Sequence, residues 1–507
     1  MIFCNRCGDA VEEGCDPRNE LVELDALLKR LALKRYDLKR KINRFHSPIV
    51  RLLPPDVTST IFEFCLPDFT DRQVSQFTKE DLFIPLFLGA ICSYWRDIAW
   101  STPSLWSSLV VTDKYISHIA TGITQEWLVR SGQLPLSIRI YSRHLSHEAA
   151  SALADIVNQY SNRWSELDLH FPDFCYRYFR ATDNHAPILR VIRFHSSVTT
   201  KNVEFQLTCP RLERAILTNL PVGEINIQWD NLTNLTLNRM YKDECFVILR
   251  KTPRLVFCKI SGCWSRFGGQ TIEAPVLTSL RSLQLLYSSF AEDFLNHLIA
   301  PNLEEFSFLD FYNPSIEVIT SFLRRSSCSL RSISMMFSIL QPYFESFMNL
   351  LRSMPSLNTL SIRSITTTSE NATSEEFDPR TVLQLVVKIL SSQSTSLHQG
   401  FLPNLEVLEY IGELHLRPGN YEDLYPLPPA DNAVHGPLSL FKLDLYSATR
   451  IPKNMISYVS SLVERGVTVN VSSGSEDILQ SSIDYYRHRE DPLCRDWADD
   501  LDSSLFS

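Results

Sequence analysis

The sequence predicts an α/β protein: an N-terminal helix, a short helical domain, then a long solenoid in which strands alternate with helices. Three observations lead there. Apolar residues recur at heptad spacing through residues 19–46. Two short amphipathic segments, 51–66 and 91–109, carry more large aromatics than a lone helical hairpin covers. Between residues 125 and 472 one six-residue phrase recurs eleven times, at intervals that suit one strand plus one helix. The expected divisions are a flexible N-terminus (1–18), a heptad-patterned helix (19–46), the helical domain (47–110), the repeat array (125–472) and an acidic tail (473–507).

A chain of 507 residues exceeds one compact core and implies two or three domains or an elongated array. Its 44% apolar and 21% charged residues are ordinary for a folded, soluble protein. A net charge of −9 argues against non-specific nucleic-acid binding, which needs a basic surface. No apolar run reaches the ~18 residues of a membrane span, and the first residues, MIFCNRCGDAVEEGC, lack the apolar core of a signal peptide. The expected setting is the reducing cytoplasm or nucleus. Most of the twelve cysteines, Cys65, Cys92, Cys209 and Cys258 among them, then read as small buried hydrophobes, and the sequons at Asn231, Asn234, Asn371 and Asn470 carry no meaning.

The first element is the helix at 19–46. Leu21, Leu28 and Ile42 hold one heptad position and Leu24, Leu31, Leu38 and Phe45 the other; Arg35 alone interrupts the seam. Such a helix wants a partner, either a second copy through residues 21–45 or the following helical domain through Phe45. Ahead of it stand Cys4-x-x-Cys7 and Cys15. A tetrahedral zinc site needs four ligands, and only His46 offers itself, across the helix. The segment is a frayed terminus or a partial knuckle completed between two copies, and no metal is assigned.

In the helical domain, Pro55 suits a first helical position and Asp56 sits near the positive end of the helix dipole. Val57, Ile61, Phe64 and Cys65 then form an apolar stripe, as do Ile91, Tyr94, Trp95, Ile98 and Ala99 on the second segment. Leu53-Pro54-Pro55-Asp56-Val57, Ile61-Phe62, Cys92-Ser93-Tyr94-Trp95-Arg96 and Ser104-Leu105-Trp106 together resemble an F-box, over about 60 residues and with every landmark in order. Two departures are a longer stretch between the halves, residues 67–86, and Ile91 in place of the usual Val. The resemblance implies docking on a Skp-type adaptor that bridges to a cullin scaffold. Leu53, Pro54, Ile61, Leu66, Trp95, Leu105 and Trp106 are the adaptor-facing or interface-supporting residues it nominates, with Leu53, Pro54 and Trp106 foremost.

The recurring phrase is an apolar anchor, two variable residues, then apolar residues two apart. It begins at Trp164, Leu189, Leu212, Leu232, Leu255, Leu280, Leu303, Leu330, Leu357, Leu405 and Leu440. The spacings are 20–27 residues until the last two, 48 and 35. Six copies carry a proline two residues before the anchor. Apolar residues two apart are the mark of a strand with one face buried. Amphipathic helices are expected at 148–160, 243–251, 291–299, 315–324, 343–352, 382–391 and 454–465, and Leu136-Ser-Ile138-Arg-Ile140 reads as an opening strand. The array resembles the leucine-rich repeats found in many F-box proteins, without the Asn or Cys of the strictest repeat. A doubly wound α/β domain would instead show longer apolar strands and a glycine-rich first turn.

Two polar inserts, 366–376 and 417–436, read as rim loops. There is no G-x-x-x-x-G-K-[ST], G-x-S-x-G or H-E-x-x-H. His144, His147 and Glu148 are too few for a metal site, and Cys258 and Cys263 lack a base to activate them. The expectation is a protein without catalytic residues, metal or cofactor, acting through surfaces. On the strand face Arg190, Arg193, Arg214, Lys259, Glu304 and Glu406 are the candidates for holding a protein substrate. The implied role is the substrate receptor of an SCF-type (Skp–cullin–F-box) ubiquitin ligase, raising the effective concentration of its target without catalysing transfer. The alternative is a non-catalytic repeat scaffold acting outside ubiquitination.

Overall fold

The computed structural model describes residues 17–46, 52–68, 77–113, 118–197, 205–220, 225–264, 275–289, 291–310, 315–337, 344–364, 402–412, 438–446, 450–451, 453–474 and 476–490. The cysteines at 4, 7 and 15, both polar inserts, the helix expected at 382–391 and the last residues of the tail lie outside them. The fold is mixed α/β with a large, mostly parallel, open sheet. The chain divides into two compact units, Met1–Asp168 and Leu169–Ser507.

The first unit opens with α1 (Pro17–His46). Then come α2 (Pro55–Phe64), α3 (Lys79–Leu82), α4 (Ile84–Ile91), α5 (Ser93–Ser101) and a 3-10 turn at Pro103–Trp106. Strand β1 (Ser108–Thr112) pairs in parallel with β2 (Leu136–Tyr141). Helices α6 (His118–Arg130) and α7 (His147–Asn158) follow these strands. Strand β3 (Trp164–Phe171) runs across the boundary. The segment expected as one helical stretch after Ile91 is broken at Cys92. That residue turns to φ −158° and caps α5, its sulfur accepting the Trp95 N–H at 3.5 Å. The Cys-x-x-Trp spacing is therefore an N-cap and its N3 residue.

In the second unit the strands of the large sheet follow one another in chain order: β4 (Val191–Ser196), β6 (Arg214–Thr218), β8 (Asn234–Asn238), β9 (Phe257–Ser261), β10 (Ser282–Leu286), β11 (Glu305–Leu309), β12 (Ser332–Phe337), β13 (Thr359–Ser364), β14 (Val407–Gly412), β15 (Leu440–Leu445) and β16 (Thr468–Ser473). Every pair in that series is parallel, and the register never slips. Ile192, Ala215, Leu235, Cys258, Leu283, Phe306, Ile333, Leu360, Leu408, Phe441 and Val469 stand side by side. A second apolar column runs from Phe194 through Leu237 and Phe308 to Val471.

Two backbone devices repeat with the strands. From the Leu189 repeat to the Leu405 repeat, the residue after the anchor turns its carbonyl toward the next repeat and accepts two N–H groups; at the last phrase the register puts Leu438, not the expected Leu440, in the anchor's place. Arg190 takes those of Glu213 and Arg214, Arg281 those of Glu304 and Glu305, and Glu406 those of Ser439 and Leu440, all at 2.8–3.0 Å. At the other end of the strands Asn219, Arg239, Gly262 and Tyr287 all take a positive φ of 49–58°. Each donates its N–H to the last carbonyl of the next strand, as Gly262 does to Leu286 at 2.8 Å.

Helices α8 (Lys242–Arg250), α9 (Ala291–His297), α10 (Ile316–Ser326), α11 (Phe344–Arg352) and α12 (Lys453–Glu464) lie close to their expected ranges. Aromatic pairs such as Phe306–Phe322 and Phe337–Phe347 join sheet to helix at 5.8 and 5.0 Å. One strand plus one helix does not hold throughout. In the repeats that begin at Leu189 and Leu212 the return segment is a short strand instead, β5 (Phe205–Leu207) or β7 (Ile225–Ile227), and these two pair with each other. Length alone does not decide this, because the 23-residue repeats that begin at Leu232 and Leu280 hold α8 and α9; the alternating burial at 205–207 and 225–227 is what suits a strand.

The stretch expected as an acidic tail also begins in order. The strand β17 (Glu476–Asp477) turns back against β16, and α13 (Leu479–Glu490) follows it. Ile478 and Ser482 are buried, and the Ser482 hydroxyl accepts the Ile451 N–H at 3.1 Å.

Candidate interaction surfaces

The helical domain is held by its aromatics and caps. Thr58 donates both its N–H and its hydroxyl to the Pro54 carbonyl, at 3.1 and 3.2 Å, which anchors the start of α2 behind Pro55. Phe62 faces inward and packs against Trp95, ring centroids 4.9 Å apart. The Ser104 hydroxyl donates to the Glu63 carboxylate and ties the 3-10 turn to α2. On α4, Gly89 lies so close to Trp100 that a Cβ there would sit 2.0 Å from its ring. Trp106 packs edge-on between Trp100 and Trp127, at 5.3 and 4.9 Å, and the Arg130 guanidinium lies 5.5 Å over its ring.

What this packing leaves outside is apolar. On α2 the inward residues are Thr58 and Phe62, while Val57, Ile61 and Phe64 point outward at 43%, 42% and 87% exposure. Their i, i+4, i+7 spacing makes one row along the helix, and Leu52 and Pro54 are exposed just before its start. Phe87 and Ile91, also i, i+4, are exposed on α4.

Of the seven residues nominated for the adaptor, Pro54 and Ile61 are exposed and Leu53, Leu66 and Trp95 are half-buried. Leu105 and Trp106 do not fit an adaptor-facing role. Both are buried in the first unit's own core, Trp106 at 2% exposure, so they hold the domain together and cannot touch a partner. The reason is the 3-10 turn, which folds them back under α5. Val57 and Phe64, read from spacing only as part of one apolar stripe, are exposed. A row of three apolar residues signals a stripe but not which side of a short helix is covered.

The strand face of the second unit carries a polar column between its apolar ones: Arg193, Ile216, Thr236, Lys259, Gln284, Ser307, Ser334, Ser361, Glu409, Lys442 and Asn470 stand side by side. Among the substrate candidates, Arg193 and Lys259 belong to this column, and Arg214 is two residues before Ile216 on the same side of its strand. Arg190, Glu304 and Glu406 stand elsewhere, just before their strands. Arg190 pairs with Glu213 at 3.3 Å, Glu304 with Arg281 at 3.1 Å, and Glu406 accepts from Asn358 at 3.4 Å. The six are thus two groups of three, one on the strands and one along their entrances.

Farther along the column Glu409 accepts from Lys442 and from Ser361, both at 2.8 Å. Partial burial acts to raise the Glu409 carboxyl, but these hydrogen bonds, with the charges of Lys442 and Arg363, bring it below the usual carboxylate range. The Glu409 hydrogen bond and charge raise Lys442. Ser361, which donates to the Glu409 carboxylate, is itself buried.

Burial keeps Cys175, Cys209 and Cys258 in the protonated thiol form, pushing Cys175 and Cys258 up to about 12 and Cys209 up to about 11. Cys263 Sγ accepts the Met240 N–H at 3.3 Å in a buried site. Among the described residues no group of three His, Cys, Asp or Glu side chains is placed to hold a metal ion, and no helix is long and apolar enough to cross a membrane. No family model matches the chain, and comparison with curated proteins finds no significant match.

Proposed function

We propose that this chain is a non-catalytic substrate receptor of the F-box type. The apolar row of α2 docks on a Skp-type adaptor bridged to a cullin, and the strand face of the second unit holds a target protein. The observation that carries the reading is the outward row Val57, Ile61 and Phe64. A ten-residue helix exposes three large apolar side chains while its other side is pinned by Phe62. Exposed apolar rows of this kind are partner sites more often than decoration. The second unit is read as a leucine-rich-repeat-type solenoid, supported by its unbroken register and repeating carbonyl and N–H devices. The chain would act in the cytoplasm or nucleus and accelerate ubiquitin transfer by proximity alone.

Mixing the purified chain with recombinant Skp-type adaptor and measuring complex formation by gel filtration tests the first half. A stable complex is expected, and none at tens of micromolar overturns the reading. A second reading follows from Leu105 and Trp106, whose burial suits a helical cap closing the unit. The protein is then a repeat scaffold outside ubiquitination, and a folded chain that leaves recombinant adaptor unbound in a pull-down identifies that case.

A further inference from the structure

From Glu20 to Ile42 every side chain of α1 is exposed, and the seam is open over that range: Leu21, Leu24, Leu28, Leu31, Leu38 and Ile42 are all at least half exposed. Nothing in the described part of the chain covers them. Leu27 adds a further exposed apolar residue beside the seam. A helix about 45 Å long with an apolar seam broken only at Arg35 is not stable as a lone surface in water.

The charges say which partner and which direction. Glu20, Glu23 and Asp25 make the first turns acidic, while Lys29, Arg30, Lys34, Arg35, Lys39, Arg40 and Lys41 make the rest basic, with Asp37 the one later acid. A parallel, in-register pair would set Arg35 against Arg35 in the seam, Glu20 beside Asp25 and Lys34 beside Lys39. All three are like-charge contacts. An antiparallel pair removes each of them. It sets Leu24 against Ile42, Leu28 against Leu38 and Leu31 against the stem of Arg35, and it brings Glu20 beside Lys41 at both ends.

We propose that two copies of this chain associate through α1 as an antiparallel coiled coil centred near Leu33. The helix is complementary to itself only in that direction, which makes a second copy the occupant of its open face. The inference is independent of what the helical domain or the strand face binds.

Light scattering on the purified full chain is expected to give twice the 58.3 kDa monomer mass at micromolar concentration. The double substitution Leu28→Glu, Leu31→Glu should return a folded monomer, since both side chains are more than half exposed in the single chain. Direction is read with a zero-length carbodiimide. Glu20 and Lys41 lie about 31 Å apart along one helix, so a Glu20–Lys41 cross-linked peptide must join two chains, and it is expected in the dimer fraction. Glu20→Lys should weaken association by about five-fold and Glu20→Lys with Lys41→Glu should restore it. A monomer, a higher oligomer, or a Glu20→Lys variant that associates more tightly, as relief of the parallel Glu20–Asp25 contact would require, overturns the proposal.

Discussion

The indole N–H of Trp106 donates to the backbone carbonyl of Ala99 at 2.7 Å, with both residues buried. Ala99 lies in the last turn of α5, where its carbonyl would ordinarily receive the N–H four residues on. That residue is Pro103, which has none. The tryptophan therefore supplies the donor that the proline withholds, which gives Trp106 a structural task inside the domain. Trp106→Ala should lower stability by about 3–5 kcal/mol through the cavity it leaves. Trp106→Phe fills most of that space but strands the Ala99 carbonyl, at about 1–3 kcal/mol. Urea unfolding of the two variants separates packing from the hydrogen bond, and a Trp106→Phe variant as stable as the parent would count against the carbonyl's part.

Phe64 gives the opposite pattern. It is 87% exposed at the end of α2, so Phe64→Ala should move the unfolding midpoint by less than about 0.5 kcal/mol. Combined with Ile61→Ala it should weaken adaptor binding by more than about 2 kcal/mol, close to thirty-fold, if the row is the docking site. Titration calorimetry with the adaptor reads this directly. A double variant that folds and binds as the parent does would remove the row from the interface.

The contrast between these residues shows where the sequence was legible. Strand positions in the array follow from two apolar residues two apart, because alternation fixes both the element and its buried side; Ile192 and Phe194, or Leu408 and Tyr410, are inward as the phrase requires. Helix α2 was legible as a helix, but its orientation was not. Val57, Ile61 and Phe64 outnumber the inward Phe62, and only the tertiary contact with Trp95 decides which side is covered. Strand β1 was hidden because Ser-Leu-Val-Val-Thr adjoins the aromatic motif and was absorbed into it. The short return strands at 205–207 and 225–227 were hidden by the regular helix spacing of the other repeats. Arg139 escaped notice for another reason. It is buried on β2 beside Glu166, at 3.0 Å, and a charge inside an opening strand gives no pattern of its own.

The positive-φ position after each strand yields a prediction of sign. Gly262 and Arg239 occupy the same place in successive repeats, at φ 58° and 51°. A Cβ on Gly262 would meet only the Arg239 side chain at an ordinary 3.7 Å, so Gly262→Ala should lose about 1 kcal/mol from the left-handed backbone alone. Arg239→Gly should shift stability the other way by relieving the same conformation. Thermal unfolding of both variants checks the pair. If both changes destabilise equally, side-chain contacts and not the backbone govern this position.

The Glu409–Lys442 pair sets a pH window. Glu409 is held below its ordinary range by its donors, so its contribution is present above the unfolded carboxyl value near ~4.3 and is lost as pH falls through the lower folded value. Lys442 is raised, so its contribution is full below the unfolded value near ~10.4 and fades as pH climbs through the higher folded one. Glu409→Gln should therefore destabilise the protein at neutral pH, and the difference from the parent should vanish as the carboxyl of the parent is protonated. Because Glu409 stands opposite both Ser361 and Lys442 in register, and a glutamine amide can still hydrogen-bond the buried Ser361 hydroxyl, the deficit is expected to come from the charge and to titrate away. Unfolding free energies across pH 3–8 test this, and a Glu409→Gln deficit that stays constant across this range would show that the pair contributes no charge-dependent stability.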